Sequence, residues 1–412
     1  MPFRIQSGLR VRPNAGSRQY SHAFGPPLAE QRLDATKVMR EDGWMRCKEG
    51  PWGEIEYRFV YLEASTHVIQ SIRLPGSETR WEFPGMSPAQ VCAFLEKCGV
   101  PGEWIAAWSS PGRMAEQGGV TQMLPVNDHV ENLSPSVRVE IFRELARHEE
   151  NPFHFYPVVI AGGDNAGFFR DAGIRGDIVR RLERMCYHRG GAVCFSDVQV
   201  LIACAENELE ARRFYKLCTR TRAIIARLNV TPATDIAALA RYWSVSHRTD
   251  DIVPLLQSVA EIPSSLDLIH MLPPLARKCL NSYPSLEMGI RGRMPDCHWT
   301  SPNFFNHEPH EIYLDLRLTS SYIEQNFEEA ERPWRLGDVF LFVSDDGTQA
   351  MHSCVFIADD IVFTKNGGAA TRPWTLSRLK DLEEIYQVGT GFQIKPMRRK
   401  RALEGADSPT RA

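Results

Sequence analysis

Cys297 follows a loop containing Gly and Pro and precedes a stretch that reads as a helix, in the order Asp296-Cys297-His298-Trp299. His352 lies 55 residues further on, at the start of a run that reads as a strand. Together these residue types suit acyl chemistry. A thiol attacks as thiolate, and with a free pKa of about 8.5 only a few per cent is ionised at neutral pH. A helix N-terminus and a neighbouring imidazolium both stabilise that anion. A third polar group should orient the imidazole. Thr364 and Asn366 share one face of the next expected strand, while Lys365 points the other way. An Asn or Thr oxygen can accept from an imidazole N–H; an ammonium cannot.

Other residues near this constellation read as its lining. Cys354 lies two positions beyond His352 on the same strand face, where it packs or serves as a second thiol. His298 and Trp299 follow the candidate nucleophile and are expected around the site, Trp299 as core or pocket wall. Cys297, His298, His307 and His310 fall within 14 residues, but no CxxC or HExxH spacing occurs, so no metal and no other cofactor is expected. The glycine-rich run Ala161–Gly167 lacks a following Gly-Lys-Ser/Thr and reads as a turn. The basic run Lys395–Arg401 reads as a solvated tail.

The elements that must hold these side chains are short and apolar. GDVFLFV (337–343) is expected as a strand and SDDGTQ (344–349) as a turn. MHSCVFIA (351–358) is apolar on both faces after its first residues and reads as a central, buried strand. DDIVFTKNG (359–367) supplies a tight turn and a third strand, and residues 376–386 form an amphipathic stretch. Upstream, EIEYRFVYLE (54–63), HVIQSIRL (67–74) and TRWEF (79–83) read as a small antiparallel sheet. Ser87-Pro88 and Ser134-Pro135 each open a helix with Pro at its first position. Helical signals then dominate from about 175 to 280, including one longer helix over 207–228.

This grammar predicts an α+β protein in five stretches. Residues 1–40 are an extended arm or loop, 41–130 a small α+β region, 131–280 a mostly helical region, 281–392 the domain carrying the chemistry, and 393–412 a charged tail. Forty-eight Lys and Arg against 51 Asp and Glu leave a net charge of −3, so bulk electrostatics give no argument for a nucleic-acid partner. There is no apolar signal region at the N-terminus and no run of about 18 apolar residues, so no membrane segment is expected. Ten cysteines without paired spacing fit a cytoplasmic chain with reduced thiols.

The run Gly337–Phe342, then His352–Ile357, then a short turn and a further strand, resembles the catalytic core of the NlpC-like branch of papain-fold cysteine peptidases. The resemblance covers about residues 280–390. It implies a helix packed on a small antiparallel sheet, with Cys297 as nucleophile, His352 as general base and Asn366 as the orienting residue. By that resemblance the chain is a thiol peptidase or amidase acting on a peptide or other acyl-containing substrate. The same thiol could instead transfer the acyl group to another acceptor. A catalytically inactive binding or regulatory module on the same fold is the alternative from a different class. Pro302, five residues after Cys297, departs from the pattern because it removes a helical hydrogen bond.

Overall fold

A computed structural model describes residues 3–4, 43–244, 249–262, 264–290, 292, 294–387 and 391–400. The fold is α+β, with several antiparallel sheets and mostly short helices. The chain divides into two compact units. Among the described residues the first takes 3–4, 43–62, 221–386 and 391–400, and the second takes 63–220 with residue 387. This division cuts across the expected 41–130 region. The strand Glu54–Leu62 pairs antiparallel with Thr221–Val230, from Leu62 opposite Thr221 to Glu54 opposite Asn229, which binds residues 43–62 to the C-terminal half.

The first unit holds the candidate site on a seven-stranded sheet. Its strands are β1 (Phe3–Arg4), β2 (Phe327–Glu329), β3 (Val339–Ser344), β4 (Gln349–Ala358), β5 (Ile361–Lys365), β6 (Trp374–Arg378) and β7 (Phe392–Arg399). The order is β2-β7-β3-β4-β5-β6, with β1 also paired to the start of β4. Strand side chains alternate between faces. Val339, Leu341, Val343, Val355, Ile357 and Phe363 enter the main core of the unit, shared with the Glu54–Leu62 and Thr221–Val230 pair. Phe340, Phe342, Cys354, Phe356 and Val362 enter a second core. The helix Leu379–Gln387 closes that second face through Leu382. β4 is therefore buried on both faces from His352 onward, as its apolar sequence indicated.

The Gly337-Asp338 pair that opens β3 has a structural reason. Gly337 adopts φ of +93°, and a Cβ there would lie 2.2 Å from the Phe305 ring, so only glycine fits. Asp338 is buried; its Oδ1 and Oδ2 accept from Arg398 Nε (2.8 Å) and an Arg398 terminal nitrogen (2.6 Å). This overturns the reading of 393–412 as one charged tail. Residues 392–399 form β7, hydrogen-bonded to β2 on one side and β3 on the other, while residues 401–412 lie outside the described ones. Of the expected N-terminal arm, only Phe3–Arg4 is described, as β1.

Two further expectations change. Residues 67–71 of the expected strand HVIQSIRL (67–74) instead fall in the helix Thr66–Ser71, which Ser65 caps by accepting from Val68 N at Oγ (3.3 Å). The expected helix over 207–228 ends at Cys218, and Thr221–Val230 is a ten-residue strand. In the second unit, Pro88–Cys98 and Pro135–Leu145 start at their Ser-Pro pairs; Ser87 and Gln90 make a reciprocal capping box, and Gly99 ends the first helix at φ of +90°. Its two three-stranded sheets are Trp81–Pro84, Val120–Met123, Met114–Gln117 and Val158–Ile160, Ala192–Phe195, Tyr187–Arg189.

Candidate active site

Cys297 opens the one-turn helix α1 (Cys297–Thr300) and is buried, with 4% of its surface exposed. The turn starts where Asp296 Oδ1 accepts from Trp299 N (2.9 Å). It stops after one turn because Pro302 has no N–H to give to His298 O. The helix expected behind the thiol is therefore a single turn, and most of a helix dipole is absent. A side chain from the sheet anchors the turn instead. Cys297 O accepts from Ser353 Oγ (2.9 Å), and Ser353 Oγ also meets Ser301 Oγ (2.9 Å).

Ser353 is the neighbour of His352 on β4, so the strand carrying the imidazole also holds the thiol-bearing turn. His352 is fully buried. Its ring meets Phe342 edge-on at 5.3 Å between centroids and stacks on Tyr386 at 4.3 Å, 21° from parallel. Nε2 lies 3.0 Å from Thr364 Oγ1, whose other contact is Ser353 O at 3.4 Å. A hydroxyl has one proton. Assigning it to the Ser353 carbonyl makes Thr364 Oγ1 the acceptor of an Nε2–H, and leaves Nδ1 as the bare nitrogen of the neutral ring. Nδ1 has no hydrogen-bond partner, and the thiol and imidazole are not bonded to each other.

The orienting contact expected from Asn366 comes from Thr364. Asn366 lies past the end of β5, and its Oδ1 is buried without a partner. A hydroxyl midway along β5 is held by two strand neighbours, whereas the Asn366 amide occupies the turn before Gly367. Cys354 is fully buried, and burial pushes its thiol well above the ordinary range, with the nearby Cys297 adding to the shift. It packs against the Phe340 and Phe356 face as an inert thiol. His298 is buried too; burial lowers its pKa, opposed by Asp296 and a hydrogen bond with the Ala350 backbone. Trp299 stands 5.9 Å from the Trp374 ring and walls a small apolar cleft with Leu275, Phe304 and Phe363.

Two residues at the site were not singled out from sequence. Tyr386 covers the imidazole, and enclosure of its hydroxyl pushes its pKa well up, with Cys297 adding to the effect. In the sequence it is one more apolar position of an amphipathic stretch. Lys365 is the other; it is fully buried on the face of β5 opposite Thr364.

No family model, curated protein or solved structure matches this chain. Among the described residues no group of three His, Cys, Asp or Glu is placed to hold a metal ion. All ten cysteines are free of disulfides, and no described helix is long and apolar enough to cross a membrane.

Proposed function

We propose that this protein is a cysteine hydrolase, a peptidase or amidase of the NlpC-like papain type, acting through Cys297 and His352. One observation carries the reading. A fully buried imidazole is fixed through Nε2 by Thr364, and its Nδ1 is left bare on the strand that anchors the Cys297 turn. A buried nitrogen without a partner costs about 1–3 kcal/mol, and a proton-accepting role explains why the site keeps it.

The chemistry follows from these atoms. His352 Nδ1 takes the Cys297 thiol proton, and the thiolate attacks the substrate carbonyl. The backbone N–H of Cys297 donates to the oxyanion. As the tetrahedral intermediate collapses, Nδ1 delivers its proton to the leaving amine and an acyl-enzyme remains. Water attacks the acyl-enzyme, gives its proton to Nδ1 and releases the acid as the thiol re-forms. Thr364 keeps the ring in the tautomer that both steps need.

A second reading is a groove that binds peptide or acyl ligands without turning them over. The burial of both Cys297 and His352 favours it, because a nucleophile must meet its substrate. Iodoacetamide labelling of all ten cysteines, read individually by mass spectrometry, separates the two. The hydrolase reading expects Cys297 to label fastest at pH 7 and to slow in His352→Ala. It also expects Cys297→Ala to lose turnover of a peptide and acyl library while keeping the native circular dichroism spectrum. A Cys297 no faster than its nine companions overturns the hydrolase reading.

A further inference from the structure

We propose that Lys365 is a positioning residue of this site: its buried ammonium fixes the turn that packs on the Cys297 segment and supplies the positive charge that favours the thiolate. The inference rests on Cys297 being the nucleophile and adds a group to which neither motif nor resemblance gave a role.

The geometry of Lys365 is unusual for a lysine. Its side chain is fully buried, and among the described residues the acceptors of its ammonium are backbone carbonyls and not a carboxylate. An ammonium in such a place is costly unless something nearby uses its charge. Nζ donates to Gly367 O (2.6 Å) and Ala369 O (3.1 Å), which ties down the turn after β5. An ammonium has three N–H donors, so these bonds leave one free. The turn it holds lies directly on the chain leading into Cys297: a Cβ on Gly368 would stand 3.9 Å from both Met294 Cβ and Asp296 Cβ.

Alternation along β5 places Lys365 on the face opposite Thr364, so the two neighbours divide the work. Thr364 bonds to the imidazole, and Lys365 stands 5.6 Å from the ring of Trp374, the indole whose Nε1 donates to Thr300 of α1 (2.9 Å). The charged and titratable groups facing Lys365 are Asp296, Cys297 and Arg372. Cys297 in turn acts on Lys365, Cys354 and Tyr386, and His352 neighbours the Ser353 that anchors its turn. Cys354 and Tyr386 are buried and their thiol and phenol are pushed well up in pKa, so of these three Lys365 is the one that carries a positive charge. Burial lowers its pKa to about 8, and the charges of Asp296 and Cys297 act to hold it up. The attraction is reciprocal: whatever a Cys297 thiolate does for the ammonium, the ammonium does for the thiolate.

The test is the pH profile of Cys297 alkylation in the full chain, for wild type, Lys365→Met and His352→Ala. Methionine keeps the stem and removes the charge. The proposal expects labelling of Cys297 in Lys365→Met to fall at least tenfold at pH 7 and to recover at high pH, with the other nine cysteines unchanged. It also expects the wild-type profile to be broader than a single titration, because Lys365 loses its proton near pH 8 as the thiolate forms. That second readout stands even if Lys365→Met does not fold. Fast labelling of Cys297 in both proteins, or a wild-type profile that follows a single titration, overturns the role of Lys365 and leaves the nucleophile in place. Slow labelling in wild type overturns both.

Discussion

Thr364 and Asn366 compete for one role, and a pair of substitutions separates them. Thr364→Val removes the acceptor for Nε2 and leaves that N–H buried without a partner, a loss of about 1–3 kcal/mol of stability. It also frees the imidazole to turn and to change tautomer, so under the proposed hydrolase function kcat/KM should fall on the order of tenfold to a hundredfold. Asn366→Ala touches neither ring nitrogen and should keep kcat/KM within about twofold of wild type. Steady-state kinetics and thermal melts on the two variants check both statements. Cys297, His352 and Thr364 could be picked out of the sequence because thiol, imidazole and hydroxyl are scarce groups whose chemistry limits their uses. Lys365 was placed on the correct face by strand alternation, but alternation does not say whether a face ends in water or in a core. Tyr386 was hidden for a related reason: an aromatic on an amphipathic helix looks the same whether it packs on leucine or on a histidine ring.

Among the elements, β7 is the one whose meaning changed most. Its sequence, with lysine and arginine interleaved among apolar residues, reads as a frayed end, because the charges that neutralise it lie far away in the chain. Arg398 meets Asp338 60 residues away, and Lys395 lies 3.6 Å from Glu329. Arg398→Ala strands the buried Asp338 carboxylate and should cost about 2–5 kcal/mol, whereas the double variant with Asp338→Asn should recover part of that loss. Urea unfolding of the three proteins measures the coupling. β3, β4 and β5 were legible because each is a short apolar run bounded by turn residues, the pattern of a strand buried on both faces. Thr221–Val230 was not, since Arg, Ala and Leu are good helix formers; pairing along nine residues with Glu54–Leu62 overrides that local preference. The Thr66–Ser71 helix escaped for the opposite reason, as its valine and isoleucine suggest a strand and only the Ser65 cap marks the turn.

At the scale of the whole molecule, the second unit is inserted between two strands that pair with each other. Leu62 and Thr221 are directly opposed, so the ends of the insertion are neighbours. Replacing residues 63–220 by Asn-Gly, which favours a two-residue hairpin, should give a first unit that folds cooperatively and labels at Cys297 at the rate of the full chain. A chain that stays unfolded by circular dichroism shows that the first unit needs the insertion. The second unit has its own pH signature. Burial lowers His154 to about 3, against an unfolded value of about 6.5. Between those values the unfolded chain binds a proton that the folded one refuses, so this histidine makes stability fall as pH drops, by up to about 1.4 kcal/mol per pH unit. Asp197 works the other way: burial raises it to about 6, above its unfolded value of about 3.9, so it favours the folded state as pH drops across that narrower window. His154→Phe should therefore flatten the loss of stability between pH 7 and 4, measured as the difference in urea midpoint from wild type. The place of β7 also sets the timing of assembly on the ribosome. Every other strand of the large sheet is translated before it, yet it fits between β2 and β3 and bonds to both. Until residues 392–399 leave the exit tunnel, β2 has no partner among the described strands and the Asp338 carboxylate at the head of β3 lacks Arg398. The nascent polypeptide thus carries Cys297 and His352 through the crowded surroundings of the ribosome on an unfinished sheet, which closes only as residues 392–399 emerge.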